Sequence, residues 1–315
     1  LILMRTRIQK YRSWTQTSFF LLFLLAPVLD IFRLDLNLGH FIILGYAWTL
    51  DLDAFQLGQM DALSAAKNLL LYAFIPGVLL VVSFMLVAWR FGRLYCGWLC
   101  PHYSVVEVVN KLMFRAMGKP GLWENNTLPG LLSDGREMHP DKRYWIITIP
   151  VILLFAFSWA VGLLTYLLPP AEIYPSLFSG DLTRNQFIFI SVATFLFTIE
   201  FSFARHLFCR FACAVGFFQS LAWMSNQKAM VVAFDARRGS LCQTCNNACD
   251  NQCPMRLKPR SLKRKMFACT QCGECLSACE QKTDGQKALL TWESGIKAIK
   301  QSSPPVSIAS IGKKL

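Results

Sequence analysis

Eight of the twelve cysteines in this chain fall between Cys242 and Cys279, and that crowding limits the fold more than any other feature. The first group reads Cys242-x2-Cys245-x3-Cys249-x3-Cys253 and is followed at once by Pro254. The second reads Cys269-x2-Cys272-x2-Cys275-x3-Cys279. Thiols packed this densely either hold metal or form disulfide bridges.

The second group has the spacing of bacterial ferredoxins, in which three thiolates on one tight loop hold one cubane and the fourth cysteine serves the neighbouring cluster. The first group has one more residue between its second and third cysteines and keeps the Cys-Pro ending. The pattern predicts two 4Fe-4S clusters with crossed ligation. Cluster one takes Cys242, Cys245, Cys249 and Cys279, and cluster two takes Cys269, Cys272, Cys275 and Cys253. Four-cysteine zinc sites are the alternative, although zinc favours two Cys-x2-Cys pairs set far apart. Disulfides require an oxidising compartment, and the topology below places these cysteines inside the cell.

Hydrophobic residues make up 54% of the 315-residue chain and come in blocks, which points to a membrane domain joined to a small polar one. Four stretches are read as spans of a hydrocarbon core that takes roughly 20 residues to cross. They run near Thr17 to Phe32, Leu69 to Trp89, Trp145 to Leu168 and Phe187 to Ala204, the first being short. The segments 33–68 and 169–186 hold 6 acidic and 3 basic residues, whereas 17 of the 32 Lys and Arg follow the fourth span. By the positive-inside rule both termini are cytoplasmic. The net charge of +13 is therefore a topology signal and not a nucleic-acid footprint. A basic start leads into the first span with no small-residue cleavage site, so that span is expected to be retained.

The chain is also duplicated. The first and third spans end in Pro27-Val28-Leu29-Asp30-Ile31-Phe32 and Pro170-Ala171-Glu172-Ile173-Tyr174, preceded by Pro169. The second and fourth lead into Tyr95-Cys96-Gly97-Trp98-Leu99-Cys100 and Phe208-Cys209-Arg210-Phe211-Ala212-Cys213. Two helical hairpins in one orientation, each closed by Cys-x3-Cys, imply a pseudo-two-fold axis along the membrane normal. Residues four apart share a helix face, so Cys96 with Cys100 and Cys209 with Cys213 are expected to converge on one further thiolate-bound metal or cluster. Soft thiolates there suit Cu(I), zinc or iron–sulfur. Buried cysteines also serve as plain small hydrophobes. His102 and His206 beside them read as anchors at the membrane boundary, and Asp30 and Glu172 as acids reaching water at the outer face.

The expected fold is an α-helical membrane protein of about four transmembrane helices in two hairpins, with a small α+β ferredoxin-like cytoplasmic domain. Its parts are residues 1–226, 227–301 and a mobile tail 302–315. Residues 39–59 form a loop against the outer face, and residues 102–117 form an interfacial amphipathic helix that leads into a loose loop rich in Gly, Pro and Asn. Residues 214–225 are too short to span. Met230 to Phe234 and Ala288 to Trp292 are expected as strands. The bridge from Arg256 to Lys265 carries six cationic side chains, suited to anionic lipid or to an acidic redox partner.

The run Tyr95-Cys96-Gly97-Trp98-Leu99-Cys100-Pro101, the second motif His206 to Cys213 and the tandem cluster motifs resemble the membrane polyferredoxins typified by NapH, the C-terminal half of NosR, and CcoG. The resemblance covers essentially the whole chain. It implies a multi-pass protein of the bacterial inner membrane with clusters on the cytoplasmic side. It further implies electron transfer linked to a redox partner subunit or carrier, to the quinol pool, or to copper reduction in the maturation of a respiratory metalloenzyme. The chain departs from the family at Ala214 and Glu280, where proline is usual, and no hydrolytic triad, nucleotide loop or haem motif is present. An electron-transfer subunit is expected, not a stand-alone enzyme acting on an organic substrate.

Overall fold

The computed structural model describes residues 7–119, 137, 139–261, 263–283 and 287–302. The fold is mostly helical. Helix α1 (Arg7–Leu25) leads into a small antiparallel sheet of β1 (Phe32–Asp35), β2 (His40–Ile43) and β3 (Tyr46–Trp48). Phe32 pairs with Ile43, and Phe41 with Trp48. The segment 39–59, read from sequence as loop, thus contributes two strands, whose short alternation is masked by the apolar residues around them. The sheet is tied to the bundle by the Leu34 and Leu36 amides, which donate to the carbonyls of Tyr166 and Leu167 at 2.9 and 3.0 Å.

Among the described residues three helices are long and apolar enough to cross a membrane: α2 (Ala62–Phe91), then, after α3 (Leu94–Trp98) and α4 (Pro101–Met117), α5 (Lys142–Thr165), and, after α6 (Pro170–Ser179), α7 (Arg184–Ala204). The expected first span is displaced. Its helix starts ten residues earlier, at Arg7, so that its N-terminal half is polar, and it stops at Leu25 before Pro27 can enter it. Caps set the other boundaries. Asp61 accepts from the Ser64 amide at the start of α2, and Thr183 and Gln186 bond reciprocally at the start of α7. Gly92, at φ 72°, ends α2 and lets the backbone approach the Trp223 ring.

Helix α4, expected on the interface, is instead the centre of the packing. Val105, Val106, Val109 and Met113 lie at 0–1% exposure against Ile152 and Ala156 of α5 and Phe201 of α7. An amphipathic stripe specifies that one face is covered, and here protein covers it. The loose loop after α4 and the tail after Ser302 lie almost wholly outside the described residues.

The chain continues through a π-turn (Phe208–Ala212) into α8 (Ala214–Ser225) and then strand β4 (Met230–Phe234). After α9 (Ala248–Asn251) and α10 (Glu274–Lys282) come β5 (Leu290–Ser294) and α11 (Gly295–Ser302). Strands β4 and β5 pair antiparallel, with Val232 opposite Trp292. The first strand falls where the sequence predicts it, and the second lies two residues further on. One core joins this part to the helices. It runs from Tyr103, Cys209 and Trp223 through Ala229 and Val231 to Met255, Leu257 and Met266.

Candidate iron–sulfur and thiol sites

The cysteine-rich segment wraps two cavities. The larger, about 190 Å³, is lined by Cys242, Cys245, Cys249 and Cys279, with Phe234 and Leu290 in its wall and Arg260 at its edge. Left-handed backbone at Asn246 and Asn247, φ 49° and 54°, turns the chain so that α9 can present Cys249. Cys279 arrives from the second group on α10. Arg260 is held in place by Asp250 at 2.8 Å.

The smaller cavity, about 20 Å³, is lined by Cys253 and by Cys269, Cys272 and Cys275. Gln271 at φ 53° and Gly273 at φ 74° curl the loop between the last three. The Leu257 amide donates to Cys253 Sγ at 3.3 Å. Each cavity therefore takes three cysteines from one group and one from the other.

Burial pushes the Cys253 and Cys269 thiols up to about 12. Burial, then Asp250, does the same to Cys249, and burial carries Cys275 well above the ordinary thiol value. Thiols so desolvated stay protonated until a bound cation displaces the proton. Four-sulfur sets, apolar walls and an amide aimed at sulfur fit 4Fe-4S clusters. Among the described residues no three His, Cys, Asp or Glu side chains converge closely enough for a single metal ion.

The other four cysteines do not sit on single helices. Cys96 lies in α3 but Cys100 is the extended residue that begins α4, and Cys209 lies in the π-turn whereas Cys213 is the extended residue that begins α8. The first helix ends at Trp98 and Pro101 starts the next directly after Cys100, while Cys213 is extended between the π-turn and α8, so each pair straddles a break and the expected shared face is absent. The four thiols are nonetheless within electrostatic reach of one another. After burial, the neighbours Cys100, Cys96 and Cys213 each raise Cys209, and burial lifts Cys100 to about 11.

Polar groups gather around these thiols in unusual number. Cys96 Sγ donates to Gln219 Oε1 at 3.6 Å. His102 Nε2 is 2.8 Å from Glu200 Oε2, and its Nδ1 is 3.7 Å from Cys209 Sγ. Buried and without a partner are Arg93 Nε, Glu200 Oε1, both ring nitrogens of His206 and Gln219 Nε2. Sequence reasoning passed over Glu200, Arg93 and Gln219. An acid inside an apolar span is a signal that could have found Glu200, while the other two carry no signal outside the fold. His102 reaches both a thiol and an acid, beyond the anchoring expected of it. Asp30 pairs with Arg33 at 2.6 Å and Glu172 accepts from Gln186 at 2.9 Å, each within its own repeat.

The smaller cavity and the four thiols share a wall. Trp98 Nε1 donates to the Gln271 carbonyl at 3.0 Å, and Thr270 Oγ1 donates to the Tyr103 hydroxyl at 3.3 Å. Gln9 Nε2 donates to the Cys272 carbonyl at 3.0 Å. Arg12, at 2% exposure, binds the Gly97 carbonyl at 2.8 Å, Glu274 at 3.0 Å and Glu107. Helix α1 thereby clamps the cluster loop onto α3 and α4.

A 4Fe-4S binding domain family matches the chain twice, over residues 73–120 and 185–229. Each match contains one of the two Cys-x3-Cys segments. Among known proteins, MJ0750 of Methanocaldococcus jannaschii is 26% identical over 191 residues, 60% of this chain and 70% of its own length. YccM of Escherichia coli is 23% identical over 227 residues, 70% of this chain and 56% of YccM. The regulatory protein NosR of Stutzerimonas stutzeri is 28% identical over 189 residues, 57% of this chain but only 22% of NosR. The chain thus spans little more than half of YccM and about a fifth of NosR. No solved structure matches. The chain carries two matches to a 4Fe-4S binding domain family together with helices long and apolar enough to cross a membrane, and it is similar in sequence to YccM and NosR.

Proposed function

We propose that the chain is a membrane-anchored electron carrier with two cytoplasmic 4Fe-4S clusters in crossed ligation. Cys242, Cys245, Cys249 and Cys279 hold one, and Cys253, Cys269, Cys272 and Cys275 hold the other. The pair of cavities, each lined by one such set, is the observation that carries the reading. The clusters supply one-electron chemistry when bound, and the chain's own residues supply spacing, burial and N–H donors to sulfur. Electrons pass between a redox partner subunit or carrier, or the quinol pool, and this pair of centres. The membrane is the bacterial inner membrane, crossed by two duplicated hairpins, with a cytoplasmic cluster domain following residue 226.

A second reading is supported by the shared wall between the smaller cavity and Cys96, Cys100, Cys209 and Cys213. In that reading the four thiols hold a further metal or cluster, and electrons from the neighbouring centre reduce it. Copper suits such soft donors, and metal handling for a respiratory enzyme would be the outcome.

The crossed ligation is tested by Cys253→Ala in anaerobically purified protein, with iron and sulfide measured per chain and the clusters followed by electron paramagnetic resonance. Loss of the signal assigned to the Cys269, Cys272 and Cys275 centre, with the other intact, is the expected result. Loss of the other centre alone would show that each group ligates its own cluster. Copper and zinc measured on the same wild-type sample separate the second reading from the first.

A further inference from the structure

The loop from Thr270 to Gly273 turns its carbonyls towards the membrane-side helices. Trp98 Nε1 on α3 donates to the Gln271 carbonyl and Gln9 Nε2 on α1 to the Cys272 carbonyl, both at 3.0 Å, and the Thr270 carbonyl lies against Gly97. Gln9 is 6% exposed, and its amide has only one usable orientation. Arg12 Nη1 donates to Gln9 Oε1 at 2.9 Å, and because a guanidinium can only donate, the Gln9 amide nitrogen is left for Cys272. The first cysteine group is held differently. Its carbonyls are taken up within the group, that of Cys245 by the Ala248 amide and that of Asn246 by Asn251 Nδ2, both at 3.1 Å.

In a trans peptide the carbonyl and the next residue's N–H point in opposite directions. Carbonyls of Thr270, Gln271 and Cys272 that face α1 and α3 therefore turn the amides of Gln271, Cys272 and Gly273 the other way, into the bend that carries Cys269, Cys272 and Cys275. The backbone has the matching form. Its φ is positive at Gln271 and Gly273 but not at Thr270 or Cys272, the alternation that gathers successive amides into an anion-binding hollow. Among the described residues none of these three amides donates to a backbone carbonyl, although Gln271 and Cys272 are only 1% and 9% exposed. A buried amide without an acceptor is costly, and the sulfurs lining the smaller cavity are the acceptors this hollow offers.

We propose that Gln9 and Trp98 are positioning residues of the electron-transfer centre at Cys253, Cys269, Cys272 and Cys275: from the membrane side they hold two carbonyls of its loop and so keep the amides of Cys272 and Gly273 aimed at its sulfurs. The assignment rests on the cluster pair proposed above. Fixed N–H dipoles favour the state with the extra electron and raise the midpoint potential of the centre they face. The centre at Cys269 thus takes part of its potential from α1 and α3, whereas the centre at Cys242 does not.

Trp98→Phe and Gln9→Met in the full chain each remove one donor. Tyr103→Phe is the comparison, since it frees the Thr270 side chain without releasing a carbonyl. Iron and sulfide are counted per chain, and the midpoint potentials of both centres are read by a spectroscopically monitored redox titration. Trp98→Phe and Gln9→Met should each shift the Cys269 centre to more negative values and leave the Cys242 centre in place, and Tyr103→Phe should move neither. Unshifted midpoints in both donor variants, or an equal shift in Tyr103→Phe, overturn the proposal. If a variant does not load iron, amide hydrogen exchange over residues 271–273 in the chelator-stripped chains decides. Exchange faster than in stripped Tyr103→Phe shows that the carbonyl contacts order these amides, and equal exchange overturns the assignment. Wild-type protein with fewer than two clusters defeats the cluster pair, and the exchange comparison then judges Gln9 and Trp98 on its own.

Discussion

A β-carbon placed on Gly97 would lie 2.3 Å from the carbonyl oxygen of Thr270. The membrane-side motif and the cluster loop are therefore in backbone contact at a point where only glycine fits. The neighbouring atom is main chain, so no side-chain rotation can make room. Gly97→Ala should force the loop 269–272 away from α3 and cost about 1–3 kcal/mol of stability. Thermal unfolding measures the cost. Iron loss confined to the Cys269 centre would locate the damage, and unchanged iron with unchanged stability would contradict the contact.

Arg12 offers a second test of the same junction. Burial alone would raise Glu107, but Arg12 and Lys111 outweigh it and hold the carboxyl well below its ordinary range. Arg12→Met strands a buried carboxylate with Lys111 as its one cation, a loss of about 3–5 kcal/mol for a broken buried pair. Removing both charges, as Arg12→Met with Glu107→Leu, should recover much of it. The comparison is a double-mutant cycle read by denaturant or thermal unfolding.

Acid sensitivity follows from His206. Its ring is buried beside Tyr103, and burial lowers it to about 4 from an ordinary 6.5. Between those values the unfolded chain binds a proton that the folded chain refuses, so stability rises with pH across that window. Full stability holds above about 6.5 and declines as pH falls towards 4, by up to roughly 3 kcal/mol for this one group. His206→Phe should flatten the stability profile in that window. A profile as steep as wild type would assign the acid sensitivity to other groups.

The basic bridge divides into used and unused charge. Lys263 donates to the carbonyls of Trp223 and Asn226 at 2.8 and 2.6 Å, closing the end of α8, and Arg260 is engaged by Asn247 and Asp250. Lys258, Arg264 and Lys265 are exposed. Lys265→Gln with Arg264→Gln should slow electron exchange with an acidic partner at low salt and leave it nearly unchanged at high salt. Equal rates at every ionic strength, with weaker binding to anionic liposomes, would assign the pair to lipid contact. Lys263→Gln should lower stability instead.

The legible parts of this chain were those fixed by local chemistry. Cysteine spacing names a cluster chemistry because the ligand loop is built from consecutive residues, and strand β4 shows its pattern within five residues. Long apolar blocks report their own helices in the same way. What stayed hidden depends on partners distant in sequence. Nothing near Arg12 announces Glu107 or Gly97, and the stripe on α4 cannot say whether lipid or protein covers it. The shared face expected for Cys96 and Cys100 failed because Pro101 begins a new helix at its N-terminal turn, a position that proline favours. The sequence contained that proline, and its weight as a helix start was greater than the i, i+4 rule applied to the two cysteines before it.

The break between Cys96 and Cys100 has a mechanical meaning. Two sulfurs on one helix keep a fixed separation, whereas these belong to segments that meet at an articulation, as do Cys209 and Cys213. A small rotation of α3 against α4, or of the π-turn Phe208–Ala212 against α8, opens or narrows the gap between sulfurs. The spacing of these sulfurs is thereby set by the tilt of the segments on either side of each break, and a change in that tilt would move one sulfur of a pair without moving the other.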